Sequence, residues 1–421
     1  MHICHLELIN YRNYACLELD LTARIHLFQG DNAQGKTNLL EAIYYLATTR
    51  SPLASQDREL IRWESLQDEV IPNAQLALRF VRAGEENSIE ASLVQEPSEG
   101  NGANGTVFRR QLRYNGVNRR AMDIVGKLNV VLFLPEDIIL VSGSPGDRRR
   151  YLDVTLCQLD ELYCRSLARY NRVVTQRNAL LRQIRERASR PKELAYWDGQ
   201  VAHLGAYVMA RRMWAIARLS RDTSEIQSAL TGAVERLELR YEHTLEAGPA
   251  IEPIEAALYD PTLAWRTGVP EGEALDLLEE QIKDALRRCQ QEEIARGVTI
   301  SGPHRDDMRF IINGFDATIY GSRGQQRTAA LALKLAEVSL MQRLVGEMPV
   351  LLLDDVLSEL DRRRGQYLLE AIGQAEQVLV TTTNMEGFGS AFLERAQLWQ
   401  VQAGAVQPHP QTSDDEVDSR S

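Results

Sequence analysis

Residues 30–37 have the sequence Gly30-Asp31-Asn32-Ala33-Gln34-Gly35-Lys36-Thr37. They match G-x-x-x-x-G-K-[ST] at each fixed position, a pattern typical of loops that bind phosphate groups. The apolar residues 25–28 predict a short buried strand before the loop, and residues 38–46 predict a helix with an apolar face after it. A glycine turn before a helix is the alternative, but strand, loop and helix together favour nucleotide binding.

The loop pattern assigns a task to each position. Glycines let backbone N–H groups surround phosphate oxygens, and the N-terminus of the following helix adds positive potential. We expect Lys36 to contact the β- and γ-phosphates and Thr37 to coordinate Mg²⁺.

A second segment, residues 350–355, is an apolar run that ends in Asp354 and Asp355. Continuous hydrophobicity predicts a parallel strand covered on both faces, and ligands bind at the carboxyl ends of such strands. Asp354 is expected to hold Mg²⁺, and Asp355 to orient or deprotonate an attacking water. The alternative is a buried strand that ends in an acidic turn.

A third segment, residues 320–327, precedes a long helical pattern and has the sequence Tyr320-Gly321-Ser322-Arg323-Gly324-Gln325-Gln326-Arg327. In one interpretation Ser322 is only an N-cap of that helix. In the other, its hydroxyl and the first N–H groups of the helix point at an anion.

These segments resemble those of ABC-type ATPases in the chromosome-maintenance and DNA-repair branch. Residues 322–326 resemble the signature motif, residues 358–361 resemble the D-loop, and residues 381–384 occupy the place of the switch region without its usual His. Further blocks are similar, in order and spacing, to the RecF family: residues 10–14, 30–38, 57–63, 133–137, 144–150, 301–307 and 353–361. The chain departs from the class at two positions. The class usually has Glu after its motif aspartate, where this chain has Asp355, and the shorter carboxylate suggests slow hydrolysis. The class also has a Gln that lines the site after an early strand, and Glu136 is the nearest candidate for it here.

The resemblance implies an α/β fold: an ABC-type P-loop ATPase head with a mixed sheet, plus an inserted and mainly helical lobe. We expect residues 1–140 and 297–403 to form the head, residues 141–296 to form the lobe, and residues 404–421 to be a disordered acidic tail.

The resemblance also implies the ligands and the site. ATP and Mg²⁺ are the expected cofactors, and the expected activity is weak, DNA-stimulated ATP hydrolysis. The P-loop of one protomer and the signature of another would enclose one ATP. The expected nucleotide contacts are Gly30, Asp31, Asn32, Ala33, Gln34, Gly35, Lys36, Thr37, Asn38, Ser322, Gly324, Gln325 and Asp361. The expected catalytic residues are Lys36, Asp354, Asp355 and Ser322, and the expected Mg²⁺ ligands are Thr37 and Asp354.

For function, the resemblance implies an ATP-dependent homodimer that binds duplex DNA and single-strand/duplex junctions at gaps. It also implies cooperation with RecR and RecO in loading the recombinase RecA.

The charge distribution supports a local contact with nucleic acid in spite of a net charge of −11. Residues 101–220 carry 21 Lys and Arg against 10 Asp and Glu, whereas residues 221–300 carry 8 against 17. The arginine clusters are Arg109, Arg110, Arg113, Arg119 and Arg120; Arg148, Arg149 and Arg150; and Arg165, Arg169, Arg172, Arg177, Arg182 and Arg185. We predict DNA contacts at Arg110, Arg113, Arg148, Arg149 and Arg150. The alternative is a solvated helix face.

Composition sets further bounds. No apolar run approaches the length of a membrane span and the N-terminus lacks a signal pattern, so we expect a cytoplasmic protein without a membrane partner. Five cysteines without metal-site spacing are expected to be reduced packing residues. The absence of a sustained heptad separates the chain from long-armed SMC and Rad50 proteins. Two alternatives remain: a transporter's nucleotide-binding subunit and a P-loop kinase of small molecules.

Periodicity predicts the remaining elements. A hairpin is expected over residues 75–81 and 88–94, helices over 147–240 and 273–295, and strands at Val298 and residues 308–312. Residues 97–105 and 248–272 are expected to be loops.

Overall fold

The computed structural model describes residues 1–97, 106–245 and 273–409. The strands are β1 (His2–Tyr11), β2 (Tyr14–Asp20), β3 (Ile25–Gln29), β4 (Asn73–Arg82), β5 (Glu85–Pro97), β6 (Thr106–Tyr114), β7 (Val117–Asn118), β8 (Val130–Phe133), β9 (Leu237–Glu242), β10 (Asp307–Ile312), β11 (Phe315–Asp316), β12 (Val350–Asp354), β13 (Val378–Thr382), β14 (Ala396–Gln402) and β15 (Ala405–Pro408). The helices are α1 (Lys36–Thr48), α2 (Trp63–Asp68), α3 (Ala121–Ile124), α4 (Ile139–Ser142), α5 (Pro145–Leu159), α6 (Glu161–Arg185), α7 (Leu194–Thr231), α8 (Glu273–Arg296), α9 (Ala317–Tyr320), α10 (Arg323–Val345), α11 (Arg362–Ile372) and α12 (Ser390–Leu393).

The strands form three sheets. One antiparallel sheet has the order β2-β1-β4-β5-β6-β7, and its β4–β5 pair confirms the predicted hairpin. The second has the order β15-β14-β3-β13-β12-β8, in which all neighbours are parallel except β14 and β15. A small antiparallel sheet has the order β11-β10-β9. The mixed sheet of the predicted α/β fold is therefore present.

Helix α1 lies between the two six-stranded sheets. It packs against β4 and β5 of the antiparallel sheet and against β8, β12 and β13 of the mixed sheet. The sequence predicted one apolar face, but Tyr45 and Glu41 are buried as well. Because α1 is packed on both sides, the direction of its axis is fixed. Its N-terminus directly follows the P-loop.

The 38-residue helix α7 is the centre of a second group of elements. Helices α6, α8 and α10 and strand β9 pack against it. The predicted helical stretch over residues 147–240 is confirmed for α5, α6 and α7, with a break at the turn Pro191–Glu193. It is wrong for residues 237–240, which belong to β9 and pair with β10.

Contacts divide the chain into two compact units, Met1–Pro135 with Met348–Ser421, and Glu136–Glu347. Residues 297–347, which the sequence analysis placed in the head, group with the second unit because α10 packs along α7. The division of the chain into two halves of an ATPase head and an inserted lobe stays a prediction.

The predicted strand at Val298 is wrong. Helix α8 ends at Arg296 and a turn follows at Gly297, after which the backbone N–H groups bond to side chains instead of to a strand. The N–H of Thr299 donates to Asn178 Oδ1 (2.7 Å), and that of Ile300 donates to Glu293 Oε1 (2.8 Å).

The prediction of a disordered tail over residues 404–421 is wrong for residues 405–408. Residues 405–408 form β15, which pairs with β14 through a turn at Ala403 and Gly404, so this part of the predicted disordered tail is ordered. Composition missed the strand because the acidic residues begin only at Asp414. The loop predicted over residues 97–105 is wrong for Pro97, which ends β5, and its other residues lie outside the described residues. Residues 410–421 and the loop predicted over residues 248–272 lie outside them as well.

No helix in residues 1–97, 106–245 or 273–409 is long and apolar enough to cross a bilayer. None of the five cysteines, all of which fall in these ranges, is joined in a disulfide.

Two of the predicted surface arginines are buried. Arg148 is 2% exposed and forms a two-pronged ion pair with Asp307, with N–O distances of 2.7 and 2.9 Å. Arg177 is fully buried and bonds to Asp198 (2.8 Å) and Glu293 (2.6 Å). The prediction that Arg148 contacts DNA is therefore wrong, because its guanidinium is occupied inside the protein.

We expect Arg148→Ala to lower the free energy of unfolding by about 3 kcal/mol, because the buried Asp307 would lose its two-pronged partner and keep only the longer ion pair to Arg309 (3.4 Å). The exposed neighbour Arg150 is a matched control, and Arg150→Ala should change stability by less than about 0.5 kcal/mol. Thermal unfolding measures both, and equal midpoints for the two variants would contradict the structural role of Arg148.

Candidate functional site

The P-loop follows β3 and leads into α1, as the sequence predicted. Gly35 caps α1 with a φ of 114°, in the left-handed region that favours glycine. A Cβ at Gly30 would lie 2.3 Å from the carbonyl oxygen of Val401, so no larger residue fits without movement. Asp31, Asn32 and Ala33 are exposed at the tip of the loop.

Lys36 is folded back into its own loop. Its Nζ donates to the carbonyl oxygens of Gly30 (2.7 Å) and Asp31 (2.8 Å), and the residue is 6% exposed. Burial lowers the pKa of Lys36, while the carboxylates of Asp355, Asp354 and Asp31 oppose that shift. A bound phosphate can replace these carbonyls as the hydrogen-bond acceptor, so the ammonium is already in the loop that would hold it.

The carboxylate of Asp354 joins the P-loop to the end of the mixed sheet. Thr37 Oγ1 donates to Asp354 Oδ2 (2.7 Å), and Thr381 Oγ1 donates to Asp354 Oδ1 (2.6 Å). Asp354 ends β12 and is paired in register with Thr381 of the parallel strand β13. The predicted meeting of the P-loop and the carboxyl end of β12 is therefore present in the structure.

Asp355 has an uncommon backbone conformation, and one of its carboxylate oxygens has no hydrogen-bond partner in the described residues. Its φ is 45°, a left-handed conformation that is uncommon outside glycine, and its N–H donates to Thr381 Oγ1 (3.1 Å). Its Oδ1 is buried without a hydrogen-bond partner in the described residues. Burial raises the pKa of Asp355, and the Ser358 hydroxyl and Lys36 counteract that shift. A buried carboxylate oxygen without a donor is suited to accept from a ligand or a water.

The oxygens at this point fit a magnesium ion. Mg²⁺ prefers oxygen ligands and usually keeps several waters, so it needs only one or two protein groups. The Thr37 hydroxyl and the Asp354 carboxylate provide two such groups 2.7 Å apart. Within the described residues no three His, Cys, Asp or Glu side chains form a metal-binding group, so a cage made only of protein is not present there.

The turn between β1 and β2 supports the P-loop from outside. Asn13 Nδ2 donates to the carbonyl of Gln34 (2.9 Å), and Asn38 Nδ2 donates to Asn13 Oδ1 (2.8 Å). Tyr14 donates its hydroxyl to the carbonyl of Gly35 (2.9 Å). The sequence analysis noted residues 10–14 only as a similar block and missed this supporting role. Their position next to a turn gave no local signal of a contact 21 residues away.

A buried carboxylate fixes α1 to the same turn. Glu41 is 1% exposed and accepts hydrogen bonds from Tyr11 (3.0 Å), from Nε and Nη2 of Arg12 (2.8 and 2.7 Å) and from Ser51. Burial and the neighbouring Glu41 raise the pKa of Tyr11. Because Arg12 compensates its charge, Glu41 can hold the first turns of α1 against β1 and β2 inside the core.

A cavity of about 770 Å³ opens beside the P-loop. Its lining includes Ala33 and Asn38 of the loop region, Arg12, Gln95 and Trp63. Trp63 is 68% exposed, which is high for so large an aromatic side chain. The cavity has a size typical of small-molecule sites.

The signature segment begins α10 with a capping box. Ser322 Oγ accepts from the N–H of Gln325 (3.2 Å), and the N–H of Ser322 donates to Gln325 Oε1 (2.9 Å). The N-cap interpretation is thus confirmed, and the interpretation as an anion site stays a prediction. Gln325 also donates to Glu235 (3.0 Å), while Gly324 is exposed.

Exposed apolar side chains precede the signature. Phe315, Ile319 and Tyr320 are 65%, 68% and 70% exposed, and the rings of Phe315 and Tyr320 lie 6.3 Å apart. Three such residues next to one another mark a contact surface more often than a single one does.

Asp361 and three of the predicted DNA contacts, Arg110, Arg113 and Arg149, form hydrogen bonds within the protein. Asp361 caps α11 by accepting from the N–H of Arg364 (3.0 Å). Arg110 donates to Thr49 O (3.0 Å) and Asp57 (2.9 Å). Arg113 donates to Asn118 (3.2 Å), and Arg149 to the carbonyl of Asp306 (2.7 Å).

The structure places the P-loop, Asp354, Asp355 and Asp361 in the first compact unit, and Ser322, Gly324 and Gln325 in the second.

Comparisons with known proteins identify the family. A family model described as RecF/RecN/SMC N terminal domain matches residues 2–405. The DNA replication and repair protein RecF of Chloroflexus aurantiacus is 41% identical over 412 residues, which are 96% of this chain and 99% of that protein. The chain belongs to the RecF family. The RecF protein of Bacillus subtilis is 36% identical over 407 residues, 96% of this chain and 100% of that one.

Solved RecF structures agree with this assignment. One, described as the recombination mediator protein RecF-ATP in RecFOR pathway, has a TM-score of 0.79 at 29% identity and covers 97% of this chain and 98% of its own. Its RecF-ATPrS counterpart has a TM-score of 0.78 at 30% identity over the same shares. The predicted ABC-type ATPase fold is confirmed, and RecF-family membership supports ATP as the nucleotide and ATP hydrolysis as the activity. It leaves no place for the transporter and kinase alternatives.

Thr381→Val should lower ATP turnover about tenfold or more. The change removes the hydroxyl that donates to Asp354 Oδ1, whereas the Asp355 N–H keeps the Thr381 carbonyl oxygen (3.2 Å) as acceptor. A buried carboxylate oxygen that loses its donor costs about 1–3 kcal/mol. Thr381→Ser keeps the hydroxyl and should retain most of the turnover. Phosphate release under saturating ATP measures both, and wild-type turnover in Thr381→Val would show that this hydroxyl does not position the site.

Proposed function

We propose that this RecF-family chain is an ATP-dependent, DNA-binding recombination mediator. It dimerises on ATP, binds duplex DNA or single-strand/duplex junctions at gaps, and helps to load the recombinase, while it hydrolyses ATP slowly. The observation that carries the proposal is the bonded group Thr37, Asp354 and Thr381 beside the buried Lys36.

The P-loop side of the site would bind the phosphates of ATP. Lys36 would exchange its bonds to Gly30 and Asp31 for bonds to the β- and γ-phosphates. The N–H groups of residues 30–38 would contact the phosphate oxygens. The adjacent cavity, with the exposed ring of Trp63, has room for the nucleoside.

Thr37 and Asp354 would hold Mg²⁺ once their mutual hydrogen bond opens. The ion would neutralise charge on the β- and γ-phosphates. Thr381 keeps the other oxygen of Asp354 in place, so the carboxylate would present one oxygen to the metal.

Asp355 would act on the attacking water. Its unpaired Oδ1 can accept a hydrogen bond from that water and then its proton, as the bond between the γ-phosphorus and the ADP oxygen breaks. The side chain of Asp is one methylene shorter than that of Glu, which is usual at this place in the ABC class. A less favourable reach to the water would keep hydrolysis slow, and DNA would stimulate it weakly.

The signature would complete the site from a second protomer. Ser322 and the N–H of Gly324 can contact a γ-phosphate only if one is present, so ATP would favour the dimer over ADP by that differential contact. Gln325 and Asp361 would contribute further contacts at the closed site. The exposed Phe315, Ile319 and Tyr320 just before the signature support a protein partner at this surface.

DNA binding and partners follow from charge and family. Arg110, Arg113, Arg149 and Arg150 are the proposed phosphate contacts that remain after the burial of Arg148. A solved relative is described as the recombination mediator protein RecF in the RecFOR pathway, which supports RecO and RecR as partners. RecA as the recombinase loaded rests on the family resemblance alone.

Ser322→Arg should keep ATP binding but abolish the ATP-dependent dimer, because a long cation would fill the contact with the partner's nucleotide. Lys36→Ala should instead abolish ATP binding. Calorimetry with ATP and sedimentation velocity with and without ATP separate the two effects.

Ser144→Arg is the matched control for Ser322→Arg. Ser144 caps α5 with the same kind of capping box, so this variant loses an equivalent cap outside the proposed site. It should dimerise with ATP like the wild type. ATP-dependent dimers of Ser322→Arg would exclude a signature that acts across two protomers.

A further inference from the structure

Helix α6 presents a row of basic and amide side chains along one side. Arg165, Arg169 and Arg172 are exposed and are followed at helical spacing by the exposed Gln176 and Gln183. We propose that these five residues, the α6 ridge, bind the phosphate backbone of DNA. This inference rests on the proposed DNA binding and specifies where it takes place.

The sequence of α6 divides the helix into two sides. Its buried residues are Tyr163, Tyr170, Val174, Arg177, Leu180, Leu181 and Ile184, and α7 packs against the helix. The α6 ridge lies on the side away from these residues, because its members recur with the 3.6-residue period. At about 1.5 Å per residue, the path from Arg165 to Gln183 is about 27 Å long.

The charge of the α6 ridge is available to a ligand. No residue of the described chain forms an ion pair with Arg169 or Arg172. Arg165 is paired with Glu161 one turn earlier, but both side chains are about half exposed, and such a pair is worth only about 0.3–0.5 kcal/mol. Glu161 is the only carboxylate in the 25 residues of α6. A phosphate would therefore meet the guanidinium groups of Arg169 and Arg172, which have no ion-pair partner in the described chain, beside that of Arg165.

Several other exposed arginines already have carboxylate partners. On β6, Arg109 pairs with Glu96 (2.9 Å) and Arg110 with Asp57 (2.9 Å). On α8, Arg287 pairs with Asp284 (3.1 Å) and Arg296 with Glu292 (2.7 Å). These four arginines must give up a partner before they can bind phosphate, so Arg169 and Arg172 are more readily available to phosphate than they are.

The side chains also suit this ligand. The planar guanidinium group matches two phosphate oxygens, and amide N–H groups are common donors to DNA phosphates. Contacts of this kind position a protein on DNA without reading its sequence. That is the property required for binding at gaps of any sequence.

The test is the salt dependence of DNA binding by the full chain carrying Arg169→Gln and Arg172→Gln together. Anisotropy of a labelled gapped duplex is measured with ATP over a range of salt concentrations. Each lost phosphate contact reduces the slope of log K against log salt by about 0.9, so the slope should fall by about 2 and affinity should fall with it.

A double variant with Arg287→Gln and Arg296→Gln is the matched control. It removes the same two charges from another exposed helix, and its slope should equal that of the wild type. Calorimetry with ATP should give wild-type affinity for both double variants. If the wild type binds DNA normally and the slope of the α6 variant is unchanged, the proposal that the α6 ridge binds DNA is overturned. The α6 ridge would then be a surface for an acidic protein partner instead. A wild-type chain that binds no DNA would overturn the proposed DNA binding as well.

Discussion

The carboxylate of Asp354 is the constraint on which the site depends. It accepts from Thr37 at the start of α1 and from Thr381 at the end of β13, and so ties the P-loop helix to two strands of the mixed sheet. Because α1 is buried between both sheets, this tie fixes the loop relative to the core and not only to its neighbours. The same carboxylate is the proposed metal ligand. Folding and the proposed nucleotide chemistry therefore use one side chain: Oδ1 is held by Thr381, and Oδ2, which accepts from Thr37 here, is the oxygen proposed to hold the metal.

Local patterns predicted the elements of this site well. The P-loop, the strand β12 and the start of α10 are each encoded within about ten residues, and the structure places all three where the sequence indicated. The supporting contacts could not be predicted in the same way. Asn13 bonds to the P-loop and Glu41 to Arg12 because the β1–β2 turn packs against the loop and α1, and nothing in their immediate sequence indicates these contacts.

The arginines show the limit of reasoning from charge. Arg148 and Arg177 stand in basic clusters, yet their partners Asp307 and Glu293 lie 159 and 116 residues away in the chain. Spacing predicted a basic side of α6, but it could not tell Arg177, which is buried, from Arg169 and Arg172, which are exposed. The overall charge of a segment thus indicated that phosphate contact is plausible, and only the ion pairs indicate which arginines are available for it.

The central claim of the account is that ATP controls DNA binding through closure of two protomers. The most direct measurement is the affinity for a labelled gapped duplex with ATP, with ADP and without nucleotide, for the wild type and Ser322→Arg. The account predicts tight binding of the wild type only with ATP, and loss of this ATP effect in the variant. Equal affinity in all three nucleotide states would contradict it, because DNA binding would then be independent of the site that Asp354 organises.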